Sequence, residues 1–129
     1  MTSHRFGQLG EEYAARYLWK HGYFLLSNDR KNRIGEIDLI AVKKKIIAFI
    51  EVKTRKPDSL GLPREAVNKM KQRKIIMAAM LFMQNKKFQN FQPRFDVIEV
   101  IMDYDTEFRK AHINHIENAF SAEGIDASF

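Results

Sequence analysis

A chain of 129 residues, 45% hydrophobic and 29% charged, is long enough to bury one continuous core and needs no second domain, so residues 1–129 are read as a single unit. Its 22 Lys and Arg against 16 Asp and Glu leave a net charge of +6, which favours a polyanionic partner, nucleic acid ahead of an anionic membrane. The absence of cysteine excludes disulfides and thiolate metal sites, and no apolar run approaches the roughly 20 residues that a membrane span requires, so a cytoplasmic protein without a signal peptide is expected.

From Phe6 to about Trp19, apolar Leu9, Tyr13, Ala14, Tyr17 and Leu18 recur at helical spacing, and His21-Gly22 supplies a stop. Glu11 lies on this helix near the edge of the packed stripe. On residue type alone it is an acid placed favourably in a helix's first turns. Tyr23 to Leu26 suits a short strand, and residues 27–33 form a polar loop carrying Arg30, Lys31 and Arg33.

The next stretch, Gly35 to Arg55, holds two apolar runs, Ile37 to Val42 and Ile46 to Val52, around the polar turn Lys43-Lys44-Lys45. That is the pattern of a β-hairpin with buried strands. Lys56 to Pro63 reads as a mobile loop, placed to act as a lid beside the charged strand end. A second long helix is expected from Glu65 to about Gln84, with Ala66, Val67, Met70, Met77, Ala78 and Leu81 as its apolar stripe and Lys69, Lys71, Arg73 and Lys74 opposite. Asn85 to Pro93 is a basic connector, and Phe95 to Ile101 a further strand with Asp96 and Glu99 as its polar members. A turn at residues 103–105, a short helical end at Asn118-Ala119-Phe120 and a frayed tail over residues 121–129 complete the chain.

This order makes an α/β fold. A hairpin's antiparallel pair followed by a helix crossover and a returning parallel strand gives a mixed sheet with helices packed on it.

Charge interrupts both hairpin strands. Side chains alternate along a strand, so Glu36 and Asp38 share one face, and Glu51 and Lys53 share one face. A turn centred on Lys43-Lys44-Lys45 brings Asp38 opposite Glu51. Two facing carboxylates destabilise a sheet unless positive charge sits between them, and Lys53 is one charge against two. A divalent cation resolves the imbalance, and oxygen-only ligands suit Mg²⁺ or Mn²⁺. The roles that follow are Asp38 and Glu51 as metal ligands, with Lys53 orienting the attacking water or stabilising phosphate charge. On spacing alone, a minor surface ion pair of Glu51 with Lys53 and a turn-capping Asp38 stay open as the plainer account. None of His4, His21, His112 and His115 shows a convincing metal spacing.

G-E-I-D-L-I-A followed by F-I-E-V-K-T-R resembles the PD-(D/E)xK nuclease signature in the version carried by the YraN-like family, UPF0102. The resemblance extends through Gly7, Gly10-Glu11, Ala15, Leu18, Gly22-Tyr23, Asn28, Gly61, Pro63, Glu65-Ala66-Val67, Lys71, Arg94-Phe95-Asp96-Val97 and Asn118-Ala119-Phe120. It implies a restriction-endonuclease-like core, a mixed sheet in a three-layer α/β/α arrangement, similar to archaeal Holliday-junction resolvases. Carried over, Asp38 resembles the motif's metal-binding aspartate, Glu51 its second carboxylate and Lys53 its lysine. Glu11 resembles the helical glutamate that completes such metal sites in the resolvase-like branch, and Glu36 is a lesser candidate for an outer ligand. Ile37 stands where the motif's proline would be.

The function expected is a Mg²⁺- or Mn²⁺-dependent endonuclease that hydrolyses phosphodiesters in DNA, branched or structured DNA included. Arg30, Lys31, Arg33, Arg55, Lys56, Lys71 and Arg73 would contact the nucleic-acid backbone. Resolvase-like enzymes often cut as homodimers, though no apolar face in the sequence assigns itself to such an interface. The alternatives are a catalytically silent or partner-dependent nucleic-acid-binding module on the same fold, and a protein-interaction adaptor.

Overall fold

A computed structural model describes residues 2–27, 35, 37–58, 67–102 and 111–122. The first helix, α1, spans Ser3–Lys20. Thr2 caps it by accepting the Arg5 amide at 3.1 Å. At the other end the Gly22 and Tyr23 amides reach back to the Trp19 and Leu18 carbonyls at 3.2 and 2.9 Å, the bonding pattern that turns a chain out of a helix. The helix is three residues longer at its start than the apolar spacing indicates, because the cap lies upstream of the stripe.

Strand β1 is Phe24–Ser27, β2 is Leu39–Lys43 and β3 is Ile46–Arg55. β2 and β3 form the expected hairpin around Lys44-Lys45, with Leu39 opposite Ile50 and Lys43 opposite Ile46. The second helix, α2, is Lys69–Phe82, followed by a 3₁₀ turn at Lys86–Phe88. β4 is Gln92–Ile101 and β5 is His112–Phe120. β3 and β4 run parallel and all other neighbours antiparallel, in the spatial order β1-β2-β3-β4-β5.

Two corrections to the sequence reading concern α2. It starts at Lys69 rather than Glu65, because Asn68 is extended and its side chain accepts the Lys71 amide at 2.9 Å. Its buried stripe is Ile75, Ile76 and Ala79, whereas Met70 and Leu81 are 71% and 66% exposed. A third concerns the chain's end, where residues 118–120 belong to β5 instead of a helix. Phe120 pairs with Phe95 in the ladder and stacks on its ring at 5.4 Å, so tertiary packing overrides local preference.

The sheet carries one apolar cluster on each face. Phe6, Ala14 and Leu18 of α1 pack on Leu39, Ala48, Ile50, Val52 and Ile98. Ile75, Ile76 and Ala79 of α2 pack with Ile40, Ile47, Phe49 and Val97. The result is a mixed α/β sheet with a helix on either side, consistent with a restriction-endonuclease-like core. Among the described residues no helix is long and apolar enough to cross a membrane. The loop basics Arg30, Lys31 and Arg33, together with Glu36, residues 59–66, the 103–105 turn and residues 123–129 of the tail, lie outside the described residues.

On the α1 face, Asp96 is fully buried and fully answered. Arg94 donates to both its oxygens at 2.9 and 2.8 Å, His115 Nε2 lies 2.8 Å from Oδ2, and the Asn118 amide donates to Oδ1 at 3.0 Å. Arg94 also donates to the Tyr23 hydroxyl at 2.6 Å, and Tyr17 Oη lies 3.0 Å from His115 Nδ1. Burial alone would raise the Asp96 pKa, but these donors prevail and hold it below the ordinary aspartate value. This network fastens α1, the turn before β1, β4 and β5 to one another.

Helix α1 approaches β3 at Gly10, where an added Cβ would overlap the Thr54 side chain. Ala normally stabilises a helix interior relative to Gly by about 1 kcal/mol. Here Gly10→Ala is expected to have the opposite sign and to cost about 1–3 kcal/mol, because α1 must move off the sheet. Urea unfolding of the two proteins measures it; an equally or more stable variant would show that the contact is not tight.

Candidate functional site

The same alternation that buries Ile50 and Val52 under α1 turns Glu51 and Lys53 to the α2 face, at the end where β2 begins and β3 finishes. Gly35 lies there as well, against α2. Its φ is +56°, and a Cβ on it would stand 2.8 Å from the Ala78 Cβ of α2, so both conformation and space favour glycine. Ile37 then anchors in the α2-side cluster, and the Asp38 carboxylate accepts the Val52 amide at 2.9 Å. Extending the β2–β3 register by one step sets Asp38 opposite Glu51.

Glu51 is 4% exposed. Its Oε1 lies 3.6 Å from Lys53 Nζ, and its Oε2 is buried without a hydrogen-bond partner among the described residues. Burial, and then the charge of Asp38, push its pKa from an ordinary value near 4.5 up to about 8; Lys71 and Lys53 oppose the shift without reversing it. Lys71 therefore belongs to the site, delivered from the first turn of α2 once Asn68 has capped that helix. Lys53, with 31% of its side chain exposed, keeps part of its length in solvent next to the buried acid.

The remaining site candidates divide. Glu11 lies half-buried on α1, beside Gly10 and therefore on the helix that covers the other face of the sheet. Among the described residues no three His, Asp or Glu side chains gather to hold one ion. Arg55 is committed to a mostly buried ion pair, Nε to Glu99 Oε2 at 3.0 Å. Lys56 and Arg73 are exposed. The sequence pattern marks Glu99 only as a polar strand residue, yet it is buried, sits beside Lys53 in the parallel ladder and anchors Arg55. The available signal was a carboxylate spaced i, i+2 from Val97 on a strand otherwise apolar on that face.

The model of the uncharacterised protein family UPF0102 matches residues 10–100 of this chain. The chain belongs to that family. A UPF0102 protein of Caldanaerobacter subterraneus subsp. tengcongensis is 47% identical over 114 residues, covering 88% of this chain and 93% of its own. One from Alkaliphilus metalliredigens is 44% identical over 114 residues, with 88% and 96% covered. One from Syntrophotalea carbinolica is 39% identical over 118 residues, with 92% and 93% covered. UPF0102 membership thus spans the hairpin, Lys71 and most of β4, and it carries no activity with it.

The raised Glu51 pKa fixes a sign. An acid that holds its proton more tightly when folded loses the folded state stability as pH rises from its unfolded value near 4.5 through about 8. Glu51→Gln removes that loss. The variant is expected to melt with the wild type near pH 4.5 and increasingly above it towards pH 8, a gap on the order of 3–5 kcal/mol at full ionisation. Thermal melts across this range check it. A gap that does not widen with pH would mean that Glu51 ionises at its ordinary value.

Proposed function

We propose that this UPF0102 protein is a divalent-cation-dependent nuclease acting on DNA, branched or structured DNA included. The observation that supports it most is Glu51 Oε2, a buried carboxylate oxygen with no hydrogen-bond partner among the described residues, set against Asp38 and near two lysines. A buried carboxylate is ordinarily paired or protonated, and a hard cation such as Mg²⁺ or Mn²⁺ offers the missing counter-charge to an all-oxygen site. Asp38 and Glu51 would hold it, and when bound it would polarise a phosphate oxygen and acidify water for attack on phosphorus.

The chain's own groups do the rest. Asp38 is kept in place by the Val52 amide, which fixes the direction of one of its oxygens. Lys53 Nζ supplies positive charge where negative charge builds on the phosphate during hydrolysis. Lys71 partly offsets the charge of the acid pair and, with exposed Lys56 and Arg73, provides backbone contacts. Arg55, tied to Glu99, stiffens the end of β3 beneath them. Paired cuts across a branch would need two copies of the chain.

The lack of a third carboxylate beside the pair among the described residues favours, as a second reading, a nucleic-acid-binding module whose cleavage awaits a partner. Labelled duplex, flap, single-stranded and four-way DNA incubated with Mn²⁺ separate the two. Asp38→Ala and Lys53→Ala are each expected to cut at least about a hundredfold more slowly than wild type. Wild type cutting no better than either variant would remove the catalytic claim. Retained, salt-sensitive DNA binding would then leave the binding module standing. Glu11→Gln in the same assay, with Mn²⁺ stabilisation of the melt as a second readout, tells a two-carboxylate from a three-carboxylate site.

A further inference from the structure

At the opposite end of the sheet from Asp38 and Glu51, β3 and β4 begin side by side, Ile46 next to Gln92, and β2 ends at Lys43. Three segments meet there: the Lys44-Lys45 turn, the C-terminal end of α1 with its outward-facing Lys20, and the 3₁₀ turn that starts at Lys86. The Gln92 amide donates to the Lys45 carbonyl at 2.7 Å, which fastens the hairpin turn to the segment following Lys87. Lys45 Nζ lies 5.9 Å over the Phe91 ring and Lys43 Nζ 5.3 Å over the Tyr23 ring. Lys20, Lys44, Lys45, Lys86 and Lys87 are exposed, and among the described residues none of them forms an ion pair.

The fold does not ask for these lysines. Lys44 sits at φ +56°, in the left-handed region where a two-residue hairpin turn favours Asn, Asp or Gly, and adjacent like charges repel. A turn built only for stability would carry different residues. Two exposed aromatic side chains flank the same edge: Trp19, 72% exposed, precedes Lys20 on α1, and Phe24, 69% exposed, pairs with Val42 beside Lys43. Val42 packs with the α2-side cluster, so Phe24 and Trp19 stand on opposite sides of the sheet edge. A flat bilayer cannot meet both sides at once, whereas a flexible strand can wrap from one to the other.

We propose that this lysine edge is a binding site for single-stranded nucleic acid, with phosphates on the lysines and unpaired bases stacked on Trp19 and Phe24. It rests on the reading of nucleic acid as the partner and adds the form and the second contact point. From Ile46 to Lys53 the strand rises about 23 Å at about 3.3 Å per residue. A strand leaving the acid pair thus reaches this edge within about seven nucleotides, the number needed at the stacked spacing of about 3.4 Å, and in fewer when extended.

Trp19 is the chain's one tryptophan, so its fluorescence reports on this edge alone. An oligo-dT of about 20 nucleotides is expected to quench it on binding. Changing Lys44, Lys45, Lys86 and Lys87 together to Gln should weaken oligo-dT binding tenfold or more and lower the salt slope by about 0.7 for each phosphate that is no longer neutralised. Phe24→Ala should cost roughly tenfold. Lys44→Asn, which suits the turn, should fold at least as well as wild type and still bind more weakly. Unchanged affinity and salt slope in the Gln variant, or unquenched Trp19 at saturating oligo-dT, would overturn the proposal. So would lysine-dependent binding to phosphatidylserine vesicles without binding to oligo-dT. If wild type binds neither single strand nor duplex, the nucleic-acid reading falls as well. If it binds or cuts duplex as before while the Gln variant matches it on oligo-dT, only the lysine edge is refuted.

Discussion

A carboxylate inside a sheet must be hydrogen-bonded, protonated or bound to a cation, and of the three buried among the described residues Asp96 and Glu51 meet that constraint in opposite ways. Asp96, on the α1 face, takes donors from Arg94, His115 and the Asn118 amide and stays ionised. Glu51, on the α2 face, has a lysine at 3.6 Å, a second carboxylate nearby and one oxygen without a hydrogen-bond partner among the described residues. The first arrangement is complete in itself. The second is complete only with a proton or something positive from outside.

Both arrangements follow from strand alternation on adjacent parallel strands. Ile50 pairs with Asp96 and Glu51 with Val97, so the acid on β4 goes under α1 and the acid on β3 goes under α2. Around Asp96, β5 curls over with its irregular register near Val97, and Asn118 takes a positive φ that aims its amide at the carboxylate. Nothing equivalent closes over Glu51 among the described residues, because β2 gives way there to the segment that leads from Gly35 to Asp38. A structural acid and a poised one therefore differ by which neighbours the sheet edge supplies.

The hairpin was legible in the sequence because two apolar runs and a polar turn leave a single register that keeps both strands buried, and that register alone pairs Asp38 with Glu51. The mixed sheet was legible from the helix between β3 and β4. The buried face of α2 was not: Met70, Met77 and Leu81 are as apolar as Ile75, Ile76 and Ala79, and only the sheet's position chooses between the two stripes. Nor was the end of β5, because Asn118-Ala119-Phe120 suits a helix end locally, while the Phe95–Phe120 stack is a contact between distant residues. The Asp96 network was invisible for the same reason, since Tyr17 and His115 are 98 residues apart along the chain. Of Lys71, only a reach towards phosphate was legible; its approach to Glu51 depends on where Asn68 starts the helix.

The placement of positive charge bears on what Glu51 is for. If Lys53 and Lys71 existed only to neutralise it, burial would have been offset and the carboxylate would ionise near its ordinary value; instead burial and Asp38 outweigh both lysines. Lys53 keeps part of its side chain in solvent instead of closing fully on the acid. The acid pair's charge is therefore only partly offset by the two lysines beside it. Under the function proposed above, a phosphodiester accompanied by a divalent ion would bring both signs at once, the ion for the acids and the phosphate for the lysines.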